Sequence, residues 1–395
     1  MWCTGVPVRG EVILNTDERE HSDRMRRVLA LELSSLGGWM SFEHYMDLVL
    51  YSPGLGYYSS GTRKFGSGGD FTTAPEVSRL FGACVAQQCT EILNEVSHGR
   101  ILEIGAGTGK LAVDVLMRLE ALKCLPERYL ILEISGDLRD RQRALIARHI
   151  PHLQHRVTWL DVLPDAPWDG VIIANEVLDA LPVVRFRWGA DECQELGVAC
   201  EHDEFVWSPR AASDCVSNRC HRLQISGGWE DGYVSEYCAR LQPWTAAVTA
   251  SLRTGAALWF DYGLPRAQYY LAERHEGTLI CHFRHRAQTN PFAHPGLQDI
   301  SAWVDFTSLA EAGASADYEL AGFTTQAFFL AGLGIDTQMH NMAGDDESQF
   351  ARLAGEARQL LMPGEMGESF KSMAWTRGIS RELSGFALQD LRHTV

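Results

Sequence analysis

The chain carries ten cysteines in 395 residues, yet no two of them are spaced C-x-x-C. Zinc knuckles and thioredoxin-like redox sites need that spacing, so neither is written here, and no metal site is expected. Ten thiols are also too sparse for the disulfide framework of a small secreted domain, and free thiols are the expectation. No run of about 18 apolar residues occurs, so no membrane-spanning helix is expected. Positive charge is scarce, with 35 Lys and Arg against 51 Asp and Glu, a net −16. Such a chain repels a phosphate backbone, so nucleic acid is not an expected partner, whereas small metabolites or a basic protein suit it. The N-terminal stretch holds Glu11, Asp17, Glu18, Glu20 and Asp23, without an apolar signal core or an acid-poor, Arg-rich transit pattern. A cytoplasmic setting follows as the expectation.

What is present is an ordinary globular balance, 46% apolar and 22% charged. Residues 1–20 lack periodicity and read as a loose tail. From Ser22 a helix is expected, with Met25, Val28, Leu29 and Leu33 on one face, and a second helix follows Ser41. A glycine-rich loop covers 59–73, and Pro75 opens a long helix through Val96. Residues 21–98 thus form an N-terminal helical and loop region.

After Gly99 short apolar runs alternate with helices: 100–105, 129–134, 157–161, 169–175 and 183–188 read as strands. Near-continuous apolar strands alternating with helices point to an α/β fold with a parallel sheet covered on both faces. This core spans 99–263, with a β-rich excursion at 189–235 and a further buried strand at 256–263. A cap or insertion is expected over 264–323, and 324–395 completes the core.

The informative segment is Ile101-Leu102-Glu103-Ile104-Gly105-Ala106-Gly107-Thr108-Gly109-Lys110, between an expected strand and an expected helix. Glycines there let the backbone turn sharply and approach a ligand at a helix N-terminus. A Walker A loop fails twice, because Ile104 stands at the first glycine and Leu111 follows the lysine. A nicotinamide fingerprint fails because the third glycine comes one residue early. E-x-G-x-G-x-G, the first motif of class I methyltransferases using S-adenosyl-L-methionine, fits best. The cofactor carries a sulfonium and no pyrophosphate, so the acidic Glu103 suits it. Downstream, Glu133 ends the second strand, where a carboxylate can accept from both ribose hydroxyls. Asp161 ends the third, within expected reach of an adenine amino group, and Asn175 with Glu176 ends the fourth. Helix capping explains any one of these residues but not the series.

Several stretches together identify a family. YSPGLGYY (51–58), FGSGGDFTTAPEVSRLFG (65–82), ILEIGAGTGKLA (101–112), ILEISGDLRDRQ (131–142) and ANEVLDALPV (174–183) resemble the MidA-like, DUF185 group of S-adenosylmethionine-dependent methyltransferases. So do FDYG (260–263), GTLICHFRH (277–285), PGLQDISAWVDFT (295–307) and PGEMGESFK (363–371). The resemblance runs from about residue 37 to 378. It implies a Rossmann-like, class I, seven-strand-type methyltransferase core with added helical and β-rich substrate-side elements. Its mitochondrial members imply an arginine of a partner protein as methyl acceptor. A homodimer is compatible with the chain.

The expected cofactor residues are therefore Glu103, Gly105, Gly107, Gly109, Glu133, Asp161 and Asn175, with Asp70, Phe71 and Thr72 of the glycine-rich loop near the sulfonium end. For a guanidinium acceptor, carboxylates would pin the planar fork and concentrate its charge on nitrogens that do not react. The candidates are Glu176 and Asp179, three residues apart, and Asp261 in FDYG. His285 is expected in the acceptor pocket, because its block matches the family. Alternatives are a small-molecule methyltransferase and a non-catalytic assembly factor that only binds the cofactor.

Overall fold

The computed structural model describes residues 14–60, 72–189, 192–224 and 228–395. The first helix, α1 (Thr16–Ser35), begins inside the stretch whose composition reads as a tail. Asn15 starts it with a capping box: its side chain accepts from the Glu18 N–H at 2.9 Å, and the Glu18 carboxylate accepts from the Asn15 N–H at 2.8 Å. The apolar face starts only at His21 and Met25, so periodicity alone places the start late. After the short strand β1 (Met40–Ser41), α2 (Phe42–Tyr51) packs Phe42, Tyr45, Met46 and Val49 against Met25, Leu29 and Leu33.

The single helix expected from Pro75 is two helices, α3 (Ala74–Val77) and α4 (Arg79–Leu93). Ser78 breaks it, with extended φ of −157°, and its hydroxyl accepts from the Leu80 N–H to start α4.

The core alternates β2 (Arg100–Ile104), α5 (Lys110–Ala121), β3 (Tyr129–Leu132), α6 (Gly136–His149), β4 (Val157–Leu160) and β5 (Trp168–Asn175). Successive residues point to opposite faces of a strand, and here both faces are covered. Ile101, Val171 and Ile173 enter one apolar cluster, while Leu102, Ile172 and Ala174 enter another.

The next strand, β6 (Val184–Arg187), was expected in this parallel sheet. It instead builds a second, antiparallel sheet with β7 (Gln194–Glu201), β8 (Glu204–Ala211) and, after α7 (Asp214–Gln224), β9 (Val234–Tyr237). Its burial alternates, as expected for a strand with one solvated face, whereas β5 is buried almost throughout.

Helix α8 (Leu241–Thr249) returns the chain to the main sheet through the long strand β10 (Leu252–Leu264). The stretch expected as a cap divides. Helix α9 (Arg266–Tyr269) packs with β10, while the small sheet of β11 (Ile280–Phe283), β12 (Arg286–Gln288) and β13 (Asp299–Ser301) stands over the cavity side. The short strand β14 (Val304–Asp305), helix α10 (Phe306–Ser315) and β15 (Glu319–Thr325) belong to the main layer. Helices α11 (Gln326–Gly332), α12 (Ile335–Ala343) and α13 (Glu347–Leu361) lead to β16 (Phe370–Arg377). The main sheet runs β15-β16-β10-β5-β2-β3-β4, with β14 beside β10. Strands β10, β5, β2, β3 and β4 are parallel, and β16 is antiparallel between β10 and β15. Ligands of open α/β sheets bind beyond the carboxyl ends of the strands, and the large cavity lies there.

Candidate functional site

A cavity of about 950 Å³ is lined by residues following β2, β3 and β5, by the end of α2, and by the segment carrying β11 to β13. It has two lobes of different construction.

In the first lobe, β2 ends in the glycine turn. Gly105, Gly107 and Gly109 have φ of 65°, 53° and 86°, values that L side chains rarely adopt. A Cβ on Gly109 would also stand 3.0 Å from Gln142 Cγ. Glu133, 5% exposed at the end of β3, accepts from the Ser135 N–H at 3.0 Å and from Gln142 Nε2 at 3.1 Å. The same Gln142 amide donates to the Gly107 carbonyl at 2.9 Å, and the Trp159 indole N–H donates to Gln142 Oε1 at 2.8 Å. Glu103 is buried and accepts from the Tyr129 hydroxyl at 2.8 Å. Burial lifts its carboxyl to about 7, with the nearby Glu133 charge adding to the shift.

The lining chemistry fits S-adenosylmethionine better than a dinucleotide. Lys110, the cation at the turn, is held by Asp114 at 3.0 Å and is not free to take a pyrophosphate. The walls instead offer Glu76, Glu103 and Glu133, whose acidic side chains suit a sulfonium.

In the second lobe, Glu176 sits at the end of β5 in the left-handed region, φ 53°, with its N–H on the Phe260 carbonyl at 2.8 Å. Non-glycine residues held there cost energy and cluster at functional sites. Its carboxylate accepts from Asn175 Nδ2 at 3.1 Å and from the Ala74 N–H at 3.4 Å. Burial, then the Asp179 charge, pushes the Glu176 carboxyl up to about 8. Asp179 accepts from the Tyr262 hydroxyl through Oδ2 at 2.5 Å. Its Oδ1 is buried and makes no hydrogen bond of standard geometry among the described residues, although the Ala180 N–H also acts on the carboxyl. Burial, then the charge of Asp299, lifts the Asp179 carboxyl to about 7. Asp299, 3% exposed, accepts from the Tyr58 hydroxyl at 2.8 Å and the Ser301 hydroxyl at 2.9 Å, with His282 Nδ1 3.9 Å away. Tyr51 stacks on Tyr58 at 5.6 Å between centroids, and both line the lobe.

The expected residues divide accordingly. Glu103, Gly105, Gly107, Glu133, Asn175, Glu176 and Asp179 line the cavity, and Gly109 caps α5 behind it. Asp161 does not line it. Its side chain is 85% exposed and pairs with Arg139 at 2.5 Å. That arginine also donates to the carbonyls of Glu133 and Leu160, so it ties two strand ends together and draws the carboxylate outward.

Asp261 is not in the cavity wall either. It is fully buried, and its Oδ2 accepts from the N–H groups of Val177, Leu178 and Asp179 while Oδ1 accepts from Tyr262. Burial, then the charges of Asp179 and Glu176, raises its carboxyl well above the usual range. It clamps the turn that presents Asp179. His285 is exposed at φ 58°, in the turn between β11 and β12, while His282 faces the cavity. His282 lies in β11, whereas His285 falls in the left-handed turn beyond its end, a difference that one-dimensional block matching does not show. Thr72 is half-buried and outside the lining, where Thr73 stands instead. Asp70 and Phe71 lie outside the described residues.

Sequence reasoning missed Asp299, Tyr58, Tyr262 and His282. All four lie inside family-like blocks, so the signal was present as unassigned polar residues.

Comparison with known proteins adds the following. Residues 84–324 match a family described as "putative S-adenosyl-L-methionine-dependent methyltransferase". A Burkholderia thailandensis protein solved bound to S-adenosyl-homocysteine is 40% identical, with a TM-score of 0.93 over 98% of this chain and 100% of that one. A zebrafish (Danio rerio) relative named protein arginine methyltransferase NDUFAF7, mitochondrial, is 28% identical over 85% of this chain and 82% of its own length. The human protein of that name is 26% identical over 89% and 82%. These mitochondrial names overturn the cytoplasmic expectation, because the charge of the first residues proved no guide to compartment. Among the described residues no helix is long and apolar enough to cross a membrane.

Proposed function

The chain belongs to the S-adenosyl-L-methionine-dependent methyltransferase family, and we propose that its methyl acceptor is an arginine side chain of a partner protein. The observation carrying this reading is the Asp179 Oδ1 atom, buried at the cavity wall without a hydrogen bond of standard geometry. A buried acceptor left unpaired costs roughly 1–3 kcal/mol, which a donor supplied by a ligand recovers. Asp299 and Glu176 stand with it, so the lobe carries several carboxylates and suits a cation with many N–H donors. A guanidinium is such a group. The names of the relatives, protein arginine methyltransferases, support the same choice.

Glu133 would hold the ribose hydroxyls, and the glycine turn would let the backbone approach the cofactor. Bound there, S-adenosylmethionine supplies a methyl group on a sulfonium, with a neutral thioether as leaving group. Asp179 and Asp299 would grip two guanidinium nitrogens and draw positive charge towards them, leaving the third nitrogen more nucleophilic. The Tyr51 and Tyr58 rings flank the acceptor and exclude water. Free arginine keeps its proton above pH ~12, so the nitrogen must lose a proton as it gains the methyl group. Glu176, with a carboxyl near 8, is tuned to take that proton near neutral pH.

The test uses cofactor labelled in the methyl group, purified protein and a protein extract, followed by acid hydrolysis. Label should appear as methylarginine and vanish with Asp179→Asn, while binding of S-adenosylhomocysteine persists. Label in lysine or in small metabolites would overturn the arginine reading.

A further inference from the structure

Among the described residues, three cationic side chains other than histidine line the cavity: Lys110, Arg240 and Arg274. Lys110 pairs with Asp114 at 3.0 Å. Arg240 pairs with Glu43 at 3.0 Å and Asp47 at 2.6 Å. Arg274 differs from both. Its Nε donates to the Gln268 carbonyl at 3.1 Å, its guanidinium carbon lies 5.1 Å from the centroid of the Trp303 ring, and it makes no ion pair among the described residues.

The position of Arg274 is built. Its N–H bonds the Leu271 carbonyl at 2.9 Å, and its own carbonyl accepts from Gly277 at 3.0 Å. Gly277, at φ 76°, lets the chain fold back against the fully buried Glu236, and a Cβ there would strike that carboxylate. Glu236 then accepts from the Thr278 N–H at 2.6 Å, the Thr278 hydroxyl at 2.8 Å and the Tyr269 hydroxyl at 3.2 Å. The Thr278 hydroxyl also accepts from the backbone N–H of Trp303 at 3.0 Å, so the turn is fastened to the backbone of the residue whose ring lies against Arg274. Stacking on an aromatic face leaves the guanidinium edge pointing outward and able to take a carboxylate bidentately.

Trp303 lies four residues beyond Asp299, a span of at most about 14 Å of chain. Arg274, Trp303, Asp179 and Asp299 all line the one cavity, so a bound segment can meet the cation and the carboxylates together.

Resting on the proposed arginine reading, we propose that Arg274 is a specificity-determining residue, binding a carboxylate carried by the acceptor protein within a few residues of the methylated arginine. The cavity is then a bipolar recognition site, acidic at the reacting end and basic at the rim. Its preferred substrate is an arginine with a nearby aspartate or glutamate, not an arginine in a wholly basic segment.

The test measures methyl transfer to synthetic peptides, each holding one arginine, with glutamate or glutamine at every position from three before to three after it. The full-length protein should show KM at least tenfold lower for glutamate than for glutamine at one or two of these positions. In Arg274→Gln that ratio should fall towards one, and in Arg274→Glu it should invert in favour of glutamine at the same positions. Titration with S-adenosylhomocysteine checks that each variant is folded. Peptide turnover without glutamate preference, or a preference that survives Arg274→Gln, overturns the proposal while the arginine reading stands. Free arginine turned over in preference to every peptide also overturns it, since its own carboxylate would then be the ligand of Arg274. Cofactor binding without methylation of any arginine overturns the arginine reading and this proposal together.

Discussion

The two lobes of the cavity are built on opposite plans. In the cofactor lobe, the polar residues follow one another along the chain at the ends of β2, β3 and β5, and neighbours in the sheet hold them. Glu133, Gln142, Trp159 and the Gly107 carbonyl form one hydrogen-bonded set held within the protein. In the acceptor lobe, Tyr58, Asp179, Tyr262 and Asp299 come from four distant segments, and Asp179 Oδ1 is left without a hydrogen bond of standard geometry. The first lobe is a set of mutually satisfied groups, as a surface for a constant molecule would be. The second keeps an unpaired acceptor, which the cationic ligand proposed above would complete.

The sharpest way to break this contrast is Asp179→Asn. It keeps the shape, removes the charge and puts one amide donor where a donor is wanted from the ligand. Transfer to arginine, read as kcat/KM, should fall about a thousandfold, or about 4 kcal/mol, with S-adenosylhomocysteine affinity changed less than twofold. Equal losses in both quantities would merge the two lobes into one.

A pH series sharpens it next. The carboxyls of Asp179 and Glu176 lie near 7 and 8 in the free protein, so at pH 6 both are largely protonated. A cation binds the ionised forms, so kcat/KM should rise by about three orders of magnitude between pH 6 and 8.5, while S-adenosylhomocysteine affinity, read by calorimetry, rises far less. Glu176→Gln should remove the upper part of the rise. The stability sign runs the other way. A carboxyl raised from its usual 4.5 to about 8 stabilises the fold fully below 4.5 and loses that contribution as pH climbs through 8. Denaturant unfolding at pH 9 should therefore find Glu176→Gln more stable than the parent protein.

On the cofactor side, Gln142→Glu puts a carboxylate against both Glu133 and the Gly107 carbonyl, the two acceptors the amide now satisfies. The KM for S-adenosylmethionine should rise about tenfold or more, with kcat at saturation nearly unchanged. The smallest effect belongs to Asp161→Asn. An exposed ion pair is worth roughly 0–1 kcal/mol, so cofactor affinity should stay within about threefold of the parent. A large loss there would return Asp161 to the cofactor site from which its exposed position removes it.

These contrasts explain how far the sequence could be read. The strands at 100–105, 129–134 and 169–175 were legible because burial on both faces imposes continuous apolar runs. The glycine turn was legible because its backbone demands glycine at a fixed spacing, and Glu133 because strand ends follow directly from strand positions. Asp161 was misjudged because its position at a strand end is visible in sequence, whereas the Arg139 side chain that turns it outward is not. Asp261 was placed among the reacting groups because an acid at a strand end looks the same whether it faces a ligand or three backbone N–H groups.

By itself, then, the sequence determined the parallel core, the order of its strands along the chain and the acidic character of the cofactor turn. These follow from local spacing, burial periodicity and residue type. Only the tertiary structure decided that β6 joins a second sheet, that His282 and not His285 faces the cavity, and that Tyr58 and Asp299 meet across 241 positions. Each of these depends on which side of an element a residue presents and on what a distant segment brings to it. Neither is written in the residues next to it.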